Sequence, residues 1–423
     1  MPPGTGASAP EPIARQPALR QTHGVDLITE YLLLGLRFDR LEPGFVDAYT
    51  GDPVLRARVE NEPAPLPAEL RRRARELLAE LDSSGLAAER ITFLRAQLVG
   101  LECSARVMSA EPVGFVDEVT AYFDVQVALG EEGRYAAAHS ELDSLLPGGG
   151  TLAQRYADYR RADECPSGRL EEVVHALSGQ LRDQVRAEYE LPPNETVTYD
   201  VVTDQPWSGF NYYRGNGHSD VAINADLPHR LSQLPHLVAH ESYPGHHTEH
   251  CRKEVGLVDR DQHREHTIFL VNTPECLMAE GLADLGVKVA VGDGWGAWTE
   301  AILRDLGLSA DGQLAERVAK AVAPLNDVRQ DAAILLHDRG RGPEEVLNYL
   351  QRWSLVSRER AQQSLRFLTH PLWRAYTSTY VEGHRLLSAW LDARPAGSSV
   401  GDRFRRLLDE PLTPGRIVQD LTV

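Results

Sequence analysis

The stretch VAHESYPGHHTEH, residues 238–250, decides how this chain is interpreted. In the zinc-binding motif HExxH, two histidines four residues apart share one face of a helix, and a glutamate follows the first. Here the first histidine and its glutamate are present as His240 and Glu241, but a proline stands where the second histidine belongs. The next histidines are His246 and His247. The stretch is therefore either a disrupted motif or a metal site built on an interrupted helix.

The proline, Pro244, must interrupt the helix, because it lacks an N–H group and clashes with the carbonyl four residues back, that of His240. Gly245 can adopt the backbone angles that a kink, a bulge or a restart requires. On a straight helix His247 would share the face of His240 but lie about 10 Å along the axis from it, at ~1.5 Å per residue, which is unfavourable for binding one ion. A two-residue bulge at Pro244-Gly245 would instead bring His246 to the position of the second ligand. We therefore predict His246 as the ligand and keep His247 as the alternative.

A third ligand is required, because a catalytic zinc keeps three protein ligands and one open position. The segment AEGLADL places Glu280 and Asp284 four residues apart on one helix face. We predict that Glu280 binds the metal and that Asp284 orients a ligand histidine. Glu241 would be the general base that takes a proton from a water activated by the metal. Spacing alone also permits a pair formed by His246 and His250, and this alternative stays open.

A transition-state stabiliser is predicted in the C-terminal segment WRAYTSTYVEGHRLL. On a single helix, Tyr380 and His384 would form a pair four residues apart that could face the metal and donate to a developing oxyanion. The alternative interpretation, with Tyr380 in the core and His384 at the surface, fits the pattern equally well.

Composition restricts the classes of partner. The formal net charge of −18 argues against nucleic acid or an anionic membrane, since both reward clustered basic residues. The four cysteines show no CxxC spacing, as expected for reduced thiols in a cytosolic protein. The N-terminal sequence does not resemble a signal peptide, and its Pro/Ala/Gly/Ser content predicts a disordered tail over residues 1–22. We expect a cytoplasmic protein with a small substrate and no membrane partner; the oligomeric state stays open.

The fold class follows from periodicity. Apolar residues at intervals of three and four predict helices through most of residues 23–190. The segment 196–204 alternates and is rich in Val, Thr and Tyr, which predicts a strand, and a second short strand is predicted at 219–225. Further helices are predicted at about 230–254, 272–290, 294–306 and through most of the C-terminal stretch. The predicted class is mainly α with a small β-sheet, in a helical N-terminal region (23–190) and a zinc-binding catalytic region (191–423).

Several of these segments together resemble a known family. The segments GFNYYRGNGHSDVAINADLP, HESYPGHH, AEGLADL and YVEG, with YLLLGLRFDRLEPGFVDAYTG near the N-terminus, resemble the bacterial proteins classed as domain of unknown function 885. That family is similar to the gluzincin metallopeptidases, the thermolysin and aminopeptidase group. The resemblance implies one zinc ion on His240, His246 and Glu280, with Glu241 as the base. It also implies that the strand at 219–225 is the sheet edge along which a peptide-like substrate aligns.

The leading functional prediction is a zinc-dependent hydrolase that cleaves an amide or peptide bond in a short peptide or a peptide-like small molecule. One alternative is a metal-dependent biosynthetic enzyme of specialised metabolism, a lyase or a non-peptide hydrolase. The other is a non-catalytic, metallopeptidase-like binding protein. Glu241 argues against this last alternative, because a structural zinc prefers four protein ligands and needs no base.

Overall fold

The protein is mainly α-helical with two small β-sheets, which confirms the predicted fold class. The structure, a computed structural model, describes residues 26–205 and 207–422. The tail predicted for residues 1–22 lies outside the described residues.

The N-terminal part is helical, as its periodicity predicts, apart from one short strand. Asp26 caps the first helix through its side chain, and Thr151 begins another with a capping box completed by Gln154. The strand has only four residues, too few for an alternating pattern to stand out in the sequence. The elements are α1 (Leu27–Leu41), β1 (Val46–Tyr49), α2 (Pro53–Glu60), α3 (Pro67–Glu80), α4 (Ala88–Met108), α5 (Phe115–Phe123), α6 (Glu132–Leu145), α7 (Leu152–Ala162) and α8 (Leu170–Tyr189).

A three-stranded sheet follows, formed by β2 (Thr196–Val202), β3 (Gly209–Gly215) and β4 (His218–Asn224). The two predicted strands are present, but β3 was not predicted, because its glycines suggested a turn. β3 and β4 form a hairpin whose turn residues Asn216 and Gly217 both have positive φ, the preference of an Asn-Gly turn. β4 is central, parallel to β2 and antiparallel to β3. The expectation that the strand at 219–225 forms the sheet edge is therefore wrong; β3 lies at an edge.

The remainder of the chain is again helical. Two π-helical turns interrupt it, at Glu254–Arg260 and at Thr379–Gly383. The second turn shows that Tyr380 and His384 do not lie on one regular helix, contrary to the prediction. The elements are α9 (Leu234–Glu241), α10 (His246–Lys253), β5 (Ile268–Leu270), α11 (Pro274–Asp284), α12 (Gly286–Ala290), α13 (Trp295–Asp305), α14 (Gly312–Val322), α15 (Asp327–His337), α16 (Pro343–Ser354), α17 (Arg358–Thr369), α18 (His384–Asp392), α19 (Val400–Asp409) and α20 (Pro414–Thr422).

The largest buried apolar cluster contains side chains from both sides of residue 190, among them Phe123, Leu181, Val238 and Trp390. A second cluster joins α1, α3 and α4 to β5, which pairs antiparallel with β1. The division of the chain near residue 190 stays a prediction. Across the described residues, the helices are too short or too polar for any of them to cross a membrane.

Candidate metal centre

The HE-x-x-PGHH stretch forms two helices with a short break between them. α9 ends at Glu241 and α10 begins at His246. The backbone hydrogen bonds across the break span six residues, from Gly245 to Ala239 and from Thr248 to Ser242, which is consistent with the two extra residues of the expected bulge. The Gly245 N–H donates to the carbonyl of Ala239 at 2.9 Å. A Cβ atom at Gly245 would overlap the backbone carbonyl of His240, so only glycine permits this close approach. The break brings His246 next to His240 at the end of α9.

Three side chains converge at this point: His240 at the end of α9, His246 at the start of α10, and Glu280 on α11. The Nε2 atoms of the two histidines are 3.2 Å apart. Glu280 Oε2 lies 3.3 Å from His240 Nε2, and Glu280 Oε1 lies 3.6 Å from His246 Nε2. The three residues predicted to hold a metal are thus brought together by separate helices.

The spacing and chemistry of these atoms fit a zinc ion. Donor atoms about 2.0–2.1 Å from a tetrahedral zinc lie about 3.3 Å from one another, close to the observed separations. Glu280 Oε2 is buried and has no hydrogen-bond partner among the described residues. Burial alone would raise the pKa of Glu280, but the two histidines lower it well below its usual value, so the carboxylate is charged. Two imidazoles and one buried carboxylate form the donor set of a catalytic zinc site.

Asp284 orients the first histidine. Its Oδ1 lies 3.0 Å from His240 Nδ1, one helical turn beyond Glu280 on α11. A proton on Nδ1 that is donated to Asp284 leaves the lone pair of Nε2 free to bind a metal. The role of Asp284 as the residue that orients a ligand histidine stays a prediction.

Tyr376 holds the carboxylate of Glu280, a contact that the sequence analysis did not assign. Its hydroxyl donates to Glu280 Oε1 at 2.7 Å. The surrounding backbone is closely packed, since a Cβ atom at Gly281 would overlap the backbone of Gly383. α11 and the π-helical turn Thr379–Gly383 are therefore in direct backbone contact beside the site.

Glu241 lies next to the three convergent side chains and is buried, with 7% of its surface exposed. Its carboxylate packs against Gly209 of β3, where a Cβ atom would lie 3.1 Å from Oε1. Asn211 donates to the Glu241 backbone carbonyl at 2.6 Å and fixes this end of α9. Burial raises the pKa of the Glu241 carboxyl, while His240 and His246 lower it in part. A carboxyl with a raised pKa beside a metal is suited to accept a proton.

The other two predicted catalytic residues differ in their placement. The ring of Tyr380 lies 6.3 Å from that of His240, and 39% of Tyr380 is exposed, so it borders the site without entering the core. His384 is exposed at the start of α18 and is not brought into the group of convergent side chains. The catalytic roles of both residues stay predictions.

His247 and His250 point away from the group. The buried ring of His247 lies between Ser219 Oγ, at 2.9 Å from Nδ1, and Glu195 Oε2, at 3.1 Å from Nε2. His250 stacks on Tyr213, with ring centroids 4.7 Å apart. The geometry therefore favours His246 over His247 as the ligand and does not support a pair formed by His246 and His250.

His263, Glu265 and His266 form a second group whose possible ligand atoms lie within 4.8 Å of one another. Arg90 already binds both oxygens of Glu265, each at 2.6 Å. A guanidinium in that position repels a metal cation, so we assign no metal to this group.

Asp47 is a further acidic residue near the site that the sequence gave no reason to select. It lies on β1 at an irregularity in the pairing with β5, where Val46 opposes Leu270 and Ala48 opposes Phe269. Burial raises its pKa to about 7, and the charges of His246, Glu280 and Glu241 also act on it. The N-terminal part of the chain thus contributes a carboxyl group to the surroundings of the metal site.

No protein-family model matches this chain, and no curated protein does. Its fold is similar to that of a "putative lipoprotein" from Colwellia psychrerythraea, with a TM-score of 0.50 and 15% identity over 84% of this chain and 66% of the other. The chain thus spans just under two thirds of that protein.

A second solved structure is an M32 carboxypeptidase from Deinococcus radiodurans R1, with a TM-score of 0.38 and 12% identity over 94% of each chain. A similarity at this level supports no conclusion about function. The similarity to the lipoprotein from Colwellia psychrerythraea concerns the fold alone. The resemblance to domain of unknown function 885 stays a prediction.

Proposed function

We propose that this protein is a zinc-dependent hydrolase that cleaves an amide or peptide bond in a short peptide or a peptide-like small molecule. The observation that carries the proposal is the convergence of His240, His246 and Glu280 at tetrahedral spacing, with Glu241 buried beside them. A structural zinc would be expected to have four protein ligands and no neighbouring base.

In the proposed reaction, Glu241, Asp284, Tyr376 and Tyr380 have separate roles. Glu241 accepts the proton of the attacking water and returns it to the leaving amine, and its raised pKa supports both steps. Asp284 keeps the Nδ1 proton of His240 in place, and Tyr376 holds Glu280 by its hydrogen bond of 2.7 Å. Zinc, when bound, supplies a Lewis acid that polarises the scissile carbonyl and lowers the pKa of water. Tyr380, at the border of the site, donates its hydroxyl proton towards the developing oxyanion.

The decisive experiment combines metal analysis with the variant Glu241→Gln. We expect the purified protein to contain about one zinc per chain and to hydrolyse members of a panel of short peptides. A chelator should abolish this activity, and added zinc should restore it. Glu241→Gln should keep the zinc but lower kcat by at least about 100-fold, because the general base is lost.

Glu89→Gln, an exposed glutamate on α4, is the matched control and should behave like the wild-type protein. Hydrolysis that persists in Glu241→Gln at the wild-type rate would refute the assignment of the base. A protein that binds no metal would refute the proposal as a whole.

A further inference from the structure

Asp47 lies at a bulge near the candidate metal site. Because Val46 and Ala48 oppose consecutive residues of β5, Asp47 is the extra residue on β1. A bulge turns the side chain of the extra residue away from the regular alternation, and such bulges are common beside active sites. The ionisable side chains on which its charge acts include Tyr212 of β3, Cys276 of α11 and Tyr376. Asp47 therefore lies near β3, against which β1 packs, and near the part of α11 that carries Glu280.

The Asp47 carboxylate lies near the candidate metal site without being bonded to it. It takes part in no hydrogen bond or ion pair within the part of the chain that the structure describes, and its residue is only partly exposed. It also lies outside the group of ligand atoms within 4.8 Å of one another, so it does not belong to the metal site itself. A partly exposed carboxylate that makes no bond within the described residues is available to a cationic group of a substrate.

We propose that Asp47 binds a protonated amine of the substrate and so makes the enzyme selective for peptides that carry a free amino group near the scissile bond. This inference rests on the proposed hydrolase function and adds a substrate class to it. The nearby carboxyl group of Glu241 and the net charge of −18 also favour a cationic group at this place. An ammonium group has three N–H donors, and an ionised carboxylate only accepts hydrogen bonds, so the two groups are complementary.

The test uses lysine-free di- to tetrapeptides, each with a free and with an acetylated amino terminus, on the zinc-loaded protein. We expect kcat/KM to be roughly 10- to 100-fold higher for the peptide with a free amino terminus than for its acetylated form. Asp47→Asn should remove this preference by lowering kcat/KM for the free form while leaving that for the acetylated form unchanged. Acetylated peptides with one lysine distinguish an α-amino group from a side-chain amine. Asp200→Asn, which neutralises an exposed carboxylate on β2, is the matched control and should retain the preference.

Binding gives a readout that does not depend on turnover. Calorimetric titration should show that Glu241→Gln binds the free form of each peptide more tightly than the acetylated form. The double variant with Asp47→Asn should bind the two forms equally. Zinc content and the thermal unfolding midpoint establish that Asp47→Asn is folded, and Asp47→Glu, which keeps the charge, should retain part of the preference.

The outcomes separate the two proposals. If the wild-type protein hydrolyses both peptide forms equally, or if Asp47→Asn weakens both forms equally, the role of Asp47 is refuted while the hydrolase function stands. Absence of binding to either form also refutes it. If Glu241→Gln binds the free form preferentially but the wild-type protein cleaves nothing, the hydrolase proposal fails and the amine site stands.

Discussion

His246 and His247 are adjacent in sequence but face opposite surroundings. His246 begins α10 with its Nε2 atom 3.2 Å from that of His240, while the ring of His247 is directed towards the sheet and bound by Glu195 and Ser219. Successive residues on a helix point about 100° apart, so only one of the two can reach the metal site. The choice of ligand is decided by where α10 begins.

The first residue-scale prediction compares His246→Ala with His247→Ala. His246→Ala should lose its zinc, because two ligands remain and affinity falls steeply. His247→Ala should keep its zinc while its unfolding midpoint decreases, because it leaves Glu195 short of a hydrogen bond. Metal content by mass spectrometry and thermal unfolding measure the two effects. The opposite pattern, with zinc lost only in His247→Ala, would overturn the ligand assignment.

The sequence was sufficient to find some site residues and not others. His240 and Glu241 lie together on α9, and Glu280 and Asp284 lie together on α11. Within each pair, the regular period of the helix relates the two residues in space. Asp47 and Asn211 reach the site only through tertiary folding, and no local pattern distinguishes them from ordinary residues of a strand. Tyr376 lies in the segment that was considered, but its partner Glu280 is 96 residues away.

At the scale of elements, Glu195 fixes the break between α9 and α10. Its buried carboxylate accepts hydrogen bonds from Tyr243 in the break at 2.6 Å and from Arg182 on α8 at 2.8 Å, and it contacts His247 on α10. Burial would raise the pKa of Glu195, but these hydrogen bonds lower it to about 2. One carboxylate thus joins a helix of the N-terminal region to both sides of the metal-binding segment.

We predict that Glu195→Gln destabilises the protein by about 3 kcal/mol, since removal of one member of a buried charged network leaves its partners uncompensated. Urea unfolding measures the change, and the exposed substitution Glu89→Gln serves as the reference. An unchanged urea midpoint in Glu195→Gln would show that Glu195 does not fix the break.

The elements that were predicted incorrectly share a physical cause. Helices such as α4 and α8 follow from long apolar periodicity, which the sequence displays directly. The strand β3 contains two glycines, at positions 209 and 215, and is stabilised mainly by pairing with β4, a long-range effect that local propensity does not report. The turn Thr379–Gly383 departs from a regular helix where α11 lies against its backbone, which is again a tertiary effect.

On the scale of the whole molecule, buried neutral histidines make stability depend on pH. Burial lowers the pKa of His236 to about 4 and that of His250 to about 3. Unfolded histidines have a pKa near 6.5, so between about pH 6.5 and pH 4 the unfolded chain binds protons that the folded chain does not. This contribution to stability is fully present above about pH 6.5 and decreases as the pH falls.

We therefore predict that the metal-free protein has a lower thermal unfolding midpoint at pH 5 than at pH 7. His236→Phe keeps the aromatic contact with Trp295 and should reduce this pH-dependent loss of stability by on the order of 1–2 kcal/mol. His175→Phe, at an exposed position, should leave the loss unchanged. An equal pH dependence in His236→Phe and the wild-type protein would contradict the explanation.

The close approach of Gly281 and Gly383 has a mechanical consequence. Two backbones that touch without side chains between them cannot tilt or slide without steric overlap, whereas side chains can change rotamer to absorb a movement. Glu280 adjoins Gly281, and Tyr380 belongs to the turn that ends at Gly383, so we expect the two side chains to move together. If the candidate site opens to admit a substrate, we expect the movement in the elements on its other sides, such as β1 and β3.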